Sequence, residues 1–214
     1  MIIPKLHYRS TGNSVKEHLE NIQKACTAGV ELVQLGVAGI KKKQTEAFAK
    51  EARTLTAHYQ TRLILNGDYK LAREIKADGV HLERTDAPFT TVRNHLYTWQ
   101  MLGATAYTLE ACEVLLKAEV DYIALGIFKA EPKQETPAAI LGLNGYTVIT
   151  EALTTETPIL AFGGITISDV KALLETGVSG ILAGDELTTD FNQVRTFNQL
   201  LNASVTQEQR HTFD

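Results

Sequence analysis

Cysteine is scarce in this chain, and its two cysteines, Cys26 and Cys112, show neither metal-ligand spacing nor a disulfide framework. A reducing cytoplasm is the expected compartment. No apolar run approaches the roughly 20 residues needed to cross a bilayer, and no basic segment leading into an apolar one follows Met1. A soluble protein without a membrane partner is therefore expected. Excess positive charge is missing too: 21 Lys and Arg against 25 Asp and Glu give a formal charge of −4. That balance argues against nucleic acid as a partner and leaves small molecules. The one basic run, Lys41-Lys42-Lys43, reads as a solvated helix start. Pro/Gly/Ser-rich linkers are absent, so the chain reads as one domain over 1–203, followed by a polar tail from Ser204 to Asp214 that should fray.

What is present is a repeat in which a helix end passes through Gly, Asp or Glu into a short apolar strand. Its copies are Ala28 to Gly36, Ala77 to Glu83, Val120 to Gly126 and Gly177 to Gly184. Apolar runs of another type lie between them: Arg62 to Asn66, Trp99 to Thr105 and Pro158 to Gly164. With Leu6-His7-Tyr8 this makes eight strands. Helical spacing of apolar residues fills the gaps, as in Val15 to Ala28, Gln44 to His58, Leu109 to Ala118 and Ser168 to Thr176. Strands alternating with amphipathic helices imply a parallel sheet covered by helices, and eight units favour a closed (β/α)8 TIM barrel, an α/β fold, over an open sheet. The Gly-x-Gly-x-x-Gly turn usual in the open fold is also missing.

Chemistry in such barrels sits at the C-terminal strand ends. Alternation along each strand lines the mouth with Gln34, Gly36 and Ala38; Asn66; His81 and Glu83; Thr105 and Tyr107; Phe128; Phe162 and Gly164; and Leu182 and Gly184. Tyr8 is a further candidate on the first strand. Gly163-Gly164-Ile165-Thr166 ends strand 7 and opens a helix, where backbone N–H groups often hold phosphate; Asp185, closing strand 8 beside it, would repel one.

Leu65-Asn66, Asp78-Gly79-Val80-His81-Leu82, Asp86, Asp121 to Gly126, Leu141-Gly142-Leu143 and Gly163 to Thr166 follow one another in an order that resembles the thiamine-phosphate synthase family and the related thiazole tautomerases. The resemblance implies a TIM barrel and a homodimer, with a reaction in which Mg2+ and cations assist the departure of diphosphate from a pyrimidine. The chain departs from the family at the working positions. Gln-x-Arg-x-Lys after strand 2 is Gln34 to Ala38, with Gly36 and Ala38 in place of the cations, and Asn-Asp after strand 3 is Asn66-Gly67. Asp86 remains as the second metal carboxylate, with Asp68 one residue beyond the place of the first. The family glycine in strand 4 is Glu83, the loop lysine after strand 6 is Gln134, the phosphate-binding serine is Gly184, and the tautomerase histidine is Tyr107. Neither a metal nor another cofactor is expected with these replacements.

Two histories fit that pattern: natural drift to another ligand, or deliberate rebuilding of the mouth, which is favoured here because the changes track the strand ends. On the rebuilt reading Glu83, in an apolar cup with Tyr107, Phe128 and Phe162, is a general base that abstracts a proton from a small aromatic substrate, as in a Kemp elimination. Asp185 is the alternative base, His81 a partner to Glu83 or a satisfied core residue, and Lys129 a Schiff-base candidate. The remaining alternatives are a diverged paralogue in thiamine metabolism and a non-catalytic binder of a small aromatic molecule.

Overall fold

A computed structural model describes residues 2–37, 40–83, 87–129 and 140–211, with side chains in the last segment described as far as residue 202. Parallel strands close into a barrel in sequence order: β1 (Leu6–Arg9), β2 (Leu32–Leu35), β3 (Arg62–Asn66), β4 (Gly79–Leu82), β5 (Met101–Ala106), β6 (Tyr122–Gly126), β7 (Ile159–Phe162) and β8 (Gly180–Ala183). The ring closes where Leu6, His7 and Tyr8 pair with Ile181, Leu182 and Ala183. The helices are α1 (Val15–Thr27), α2 (Lys42–His58), α3 (Tyr69–Glu74), α4 (Phe89–His95), α5 (Leu109–Lys117), α6 (Gly142–Ala152), α7 (Val170–Glu175), α8 (Asp185–Thr189) and α9 (Gln193–His211).

Local chemistry sets the helix starts. Ser14, Asp68 and Thr108 each accept from a backbone N–H three residues on, at 3.2, 2.9 and 3.2 Å, satisfying a donor that the first turn leaves unpaired. Lys41, Lys42 and Lys43 are exposed at the start of α2, as expected. At the other end of the chain α9 continues to His211, past Ser204. The expected fraying tail is therefore helical over most of its length, since no Gly or Pro interrupts 193–211.

The recurring Asp before a strand proves to be a barrel-closing device. Asp78 Oδ2 accepts from the backbone N–H of Leu63 on β3 at 2.8 Å and from Arg53 of α2 at 2.8 Å. Asp121 Oδ2 accepts from Leu102 on β5 at 2.7 Å and from Arg93 of α4 at 2.9 Å. Each carboxylate ties a strand start to its neighbour and to an outer helix, away from the catalytic end.

Inside the barrel, Leu32, Ile64 and Met101 form a dry lower layer with Ile3 packed against it. Above it the side chain of Tyr122 crosses the interior. A Cβ at Gly103 would lie 2.0 Å from its ring, so only glycine admits the phenol there. The Tyr122 ring thus fills the lumen at the level of Gly103.

Candidate functional site

Tyr122 carries a buried polar layer beneath the mouth. Gln34 Nε2 donates to its hydroxyl at 3.1 Å, His81 Nδ1 lies 3.0 Å from the same oxygen, and His81 Nε2 is 2.8 Å from Thr105 Oγ1. His7 meets Tyr122 edge-on, with its Nδ1 3.4 Å from Gln34 Nε2. Burial pushes His7 down to about 3 and His81 well below the ordinary histidine range, with Arg9 and His7 adding to the fall at His81. Both are neutral imidazoles near neutral pH. With both ring nitrogens engaged, His81 fits the satisfied-core alternative.

The mouth itself is two-sided. On one side the Tyr107 and Phe162 rings meet edge-on at 6.0 Å, and Phe162 lies over Gly126, where a Cβ would fall 2.4 Å from its ring. Burial raises the Tyr107 phenol, helped by the nearby Glu83 charge and opposed by Arg9. On the other side stand Arg9, Asn66 and Glu83. Arg9 Nη1 is 2.9 Å from Glu83 Oε1, with the two side chains 27% and 50% exposed. The apolar cup expected around Glu83 is therefore not what surrounds it: its carboxylate is half in solvent and paired with a guanidinium.

Three further mouth expectations change. Tyr8 points outward, its ring 5.5 Å from Phe191 and its hydroxyl 2.8 Å from Thr188 Oγ1, because His7 and Arg9 take the inward parity of β1. Phe128 is buried outside the lumen, 6.1 Å from the Tyr146 ring of α6. Lys129 is half exposed, 2.6 Å from Asp169 and over the Phe128 ring, a solvated pair where a Schiff-base amine would need desolvation. Ala38, Asp86 and Gln134 lie outside the described residues.

Gly36 is sterically fixed. A Cβ there would lie 2.0 Å from the Ser10 carbonyl oxygen, and its N–H donates to Ser10 Oγ at 3.0 Å. Gly67 has φ +78 and Asp68 caps α3, so neither offers the missing metal carboxylate. Among the described residues, which do not include Asp86, no group of three His, Cys, Asp or Glu could hold a metal.

Between β7 and β8, Gly163 and Gly164 adopt φ of +94 and +64 and turn the backbone. The Ile165 N–H donates to Glu186 Oε1 at 3.2 Å and the Gly184 N–H to Glu186 Oε2 at 2.8 Å. Asp185, the carboxylate singled out from sequence, is exposed instead. An acid does sit where a phosphate was expected, and it is the next residue. Glu186, Arg9, His7 and Tyr122 are the site residues that strand-end reading missed. Alternation carried one step past Leu6-His7-Tyr8 would have found Arg9, whereas a first-turn glutamate reaching back to a strand end leaves no periodic signal.

Residues 9–186 match the family model described as thiamine monophosphate synthase. The chain is similar to the thiamine-phosphate synthase of Flavobacterium johnsoniae, 34% identical over 204 residues, covering 94% of this chain and 96% of that one. It is similar also to that of Bacteroides fragilis, 30% identical over 188 residues, covering 86% and 92%. Among solved structures, thiamine phosphate pyrophosphorylase from Pyrococcus furiosus superposes with a TM-score of 0.78 at 24% identity over 93% of this chain and 96% of that one. A 3-hexulose-6-phosphate synthase superposes at 0.66 with 15% identity, covering 94% and 99%; both likenesses speak for the barrel alone.

Proposed function

This chain belongs to the thiamine monophosphate synthase family, and from that premise we propose that it is a naturally diverged member whose mouth takes a small flat heteroaromatic molecule lacking a phosphate. Divergence is preferred to rebuilding because the chain is 34% identical to its Flavobacterium relative, so about two in three aligned positions differ. A difference that large extends far beyond the strand ends, and the argument for a rebuilt mouth rested on the changes being confined there.

The observation that carries the reading is Glu186. Its carboxylate already accepts from the Ile165 and Gly184 N–H groups, the pair that a barrel of this type turns toward phosphate. A bound phosphate would have to displace this anion or sit against it. Loss of the strand 2 cations and of the strand 3 carboxylate removes the partners of a diphosphate at the same mouth. Asn66, Tyr107 and Phe162 remain to hold a flat ring with polar edges.

Titrating 15N-labelled protein with inorganic phosphate and phenyl phosphate tests this. The Ile165 and Gly184 amide resonances are expected to stay in place in the wild type and to move saturably in Glu186→Ala. Saturable movement in the wild type would overturn the reading.

A second reading, proton abstraction by Glu83 from an aromatic carbon acid, draws support from the Glu83 charge acting on Tyr107, which puts carboxylate and aromatic wall in one mouth. It ranks below the first because Arg9 and solvent already share the carboxylate.

A further inference from the structure

Three residues at the ends of β1, β2 and β4 make one linked unit. Gly36 cannot carry a side chain against the Ser10 carbonyl, so β2 supplies no cation to the mouth. Arg9, one residue before Ser10, brings a cation in from β1, and Glu83 reaches it from β4. Gly36 and Gly67, the residues that follow β2 and β3, carry no side chain at the strand ends between them.

Glu83 uses only Nη1 of the guanidinium. The other edge, Nε with Nη2, is buried and without a partner, as is Asn66 Oδ1 at the same end of the barrel. Those two donors form the parallel fork that matches the two oxygens of a carboxylate. Buried donors without acceptors are costly, and in a ligand site they mark where the ligand supplies what the protein does not. The charge of Arg9 acts on Tyr107 at the rim and on His81 and Tyr122 below.

We propose that Arg9 is the ligand-binding cation of this barrel and that its Nε–Nη2 edge receives the carboxylate of a flat heteroaromatic acid. The ring of such an acid lies along Tyr107 and Phe162, and a ring N–H or amino group on it donates to Asn66 Oδ1. The proposal deepens the functional reading above, and it commits to a carboxylate where that reading only excludes a phosphate. Arg9 selects by charge and by shape: a carboxamide of the same size keeps the ring contacts, but one of its two polar groups is a donor facing a donor.

The experiment uses matched pairs, nicotinate with nicotinamide and indole-2-carboxylate with its carboxamide, titrated into the full chain with the Arg9 Nε–H resonance followed by NMR. At least one acid is expected to bind about 10-fold or more tightly than its amide and to shift that resonance. In Arg9→Lys, which keeps the charge and loses the fork, the preference is expected to fall within about 3-fold, with thermal melts checking that the variant is folded. Equal binding of acid and amide, a preference that survives in Arg9→Lys, or failure of both acids to bind would each overturn the proposal. The functional reading fails by a different observation, phosphate binding at Ile165 and Gly184, so the two failures are distinguishable.

Discussion

His81 Nδ1 and the Tyr122 hydroxyl are 3.0 Å apart in the buried interior of the barrel, where burial keeps the imidazole neutral. The consequence is acid sensitivity. His7 and His81 both have folded-state values depressed below those of the unfolded chain, so between about 6.5 and the folded value the unfolded state binds more protons. Stability is therefore full above that window and falls as pH drops through it. Each histidine is expected to steepen the loss by up to about 1.4 kcal/mol per pH unit below pH 6. Urea unfolding from pH 7.5 to 4.5 checks this, and a stability flat across that range would contradict neutral burial of both rings.

The eight-strand barrel was legible because its signal repeats: four strand starts carry the same Gly, Asp or Glu turn, and apolar runs of a second type alternate with them. Asp78 and Asp121 show why the turn recurs, since each pairs with a neighbouring strand and an outer helix. The mouth was less legible. Parity turned Gln34, His81 and Thr105 towards the interior, where they join the Tyr122 layer, but it gives no account of what a side chain meets across the lumen. Arg9 of β1 reaching Glu83 beyond β4, and Glu186 in the first turn of α8 folding back onto Gly184, are contacts with no fixed period. Phe128 failed for a related reason: it lies beyond Gly126, the last residue of β6, where strand parity no longer governs direction.

Asp121→Ala should destabilise the barrel without touching the mouth. It removes the acceptor for the Leu102 N–H and leaves Arg93 without its carboxylate partner. The expected cost is about 1–3 kcal/mol, which at about 2–4 °C per kcal/mol for a chain of this size lowers Tm by several degrees. Differential scanning calorimetry measures it. Heteroaromatic acid binding at 25 °C should be unchanged, and a parallel loss of binding would mean that the base of the barrel and its mouth are coupled.

Synthase turnover with a pyrimidine diphosphate, a thiazole phosphate and Mg2+ should be absent, because each missing charge-stabilising group typically costs about 100- to 1000-fold. Gly36→Arg should not restore it. The new Cβ would meet the Ser10 carbonyl at 2.0 Å, so the β1 and β2 ends must separate before any side chain fits. The expected outcome is a lower Tm and no product by mass spectrometry. A stable, active Gly36→Arg protein would show that the two strand ends are freer than their hydrogen bond through Ser10 Oγ implies.

Glu83→Gln separates the two readings of the mouth because they give it opposite signs. As general base, Glu83 is indispensable, and its loss should cut turnover of an activated aromatic carbon acid by roughly 100-fold or more. As partner to Arg9 it competes with the ligand: its carboxylate holds Nη1 at 2.9 Å and places a negative charge beside the incoming acid. Replacing it with the neutral amide should raise the affinity for a heteroaromatic acid by about 3- to 10-fold at low salt, with a smaller gain at high salt where the repulsion is screened. Asp185→Asn is the control, since that side chain is exposed and should change neither quantity. Calorimetric titration of wild type and both variants reads the affinity, and a panel of carbon acids reads turnover. Weaker acid binding in Glu83→Gln, together with a collapse of measurable turnover, would return Glu83 to the role of base and remove Arg9 from that of ligand cation.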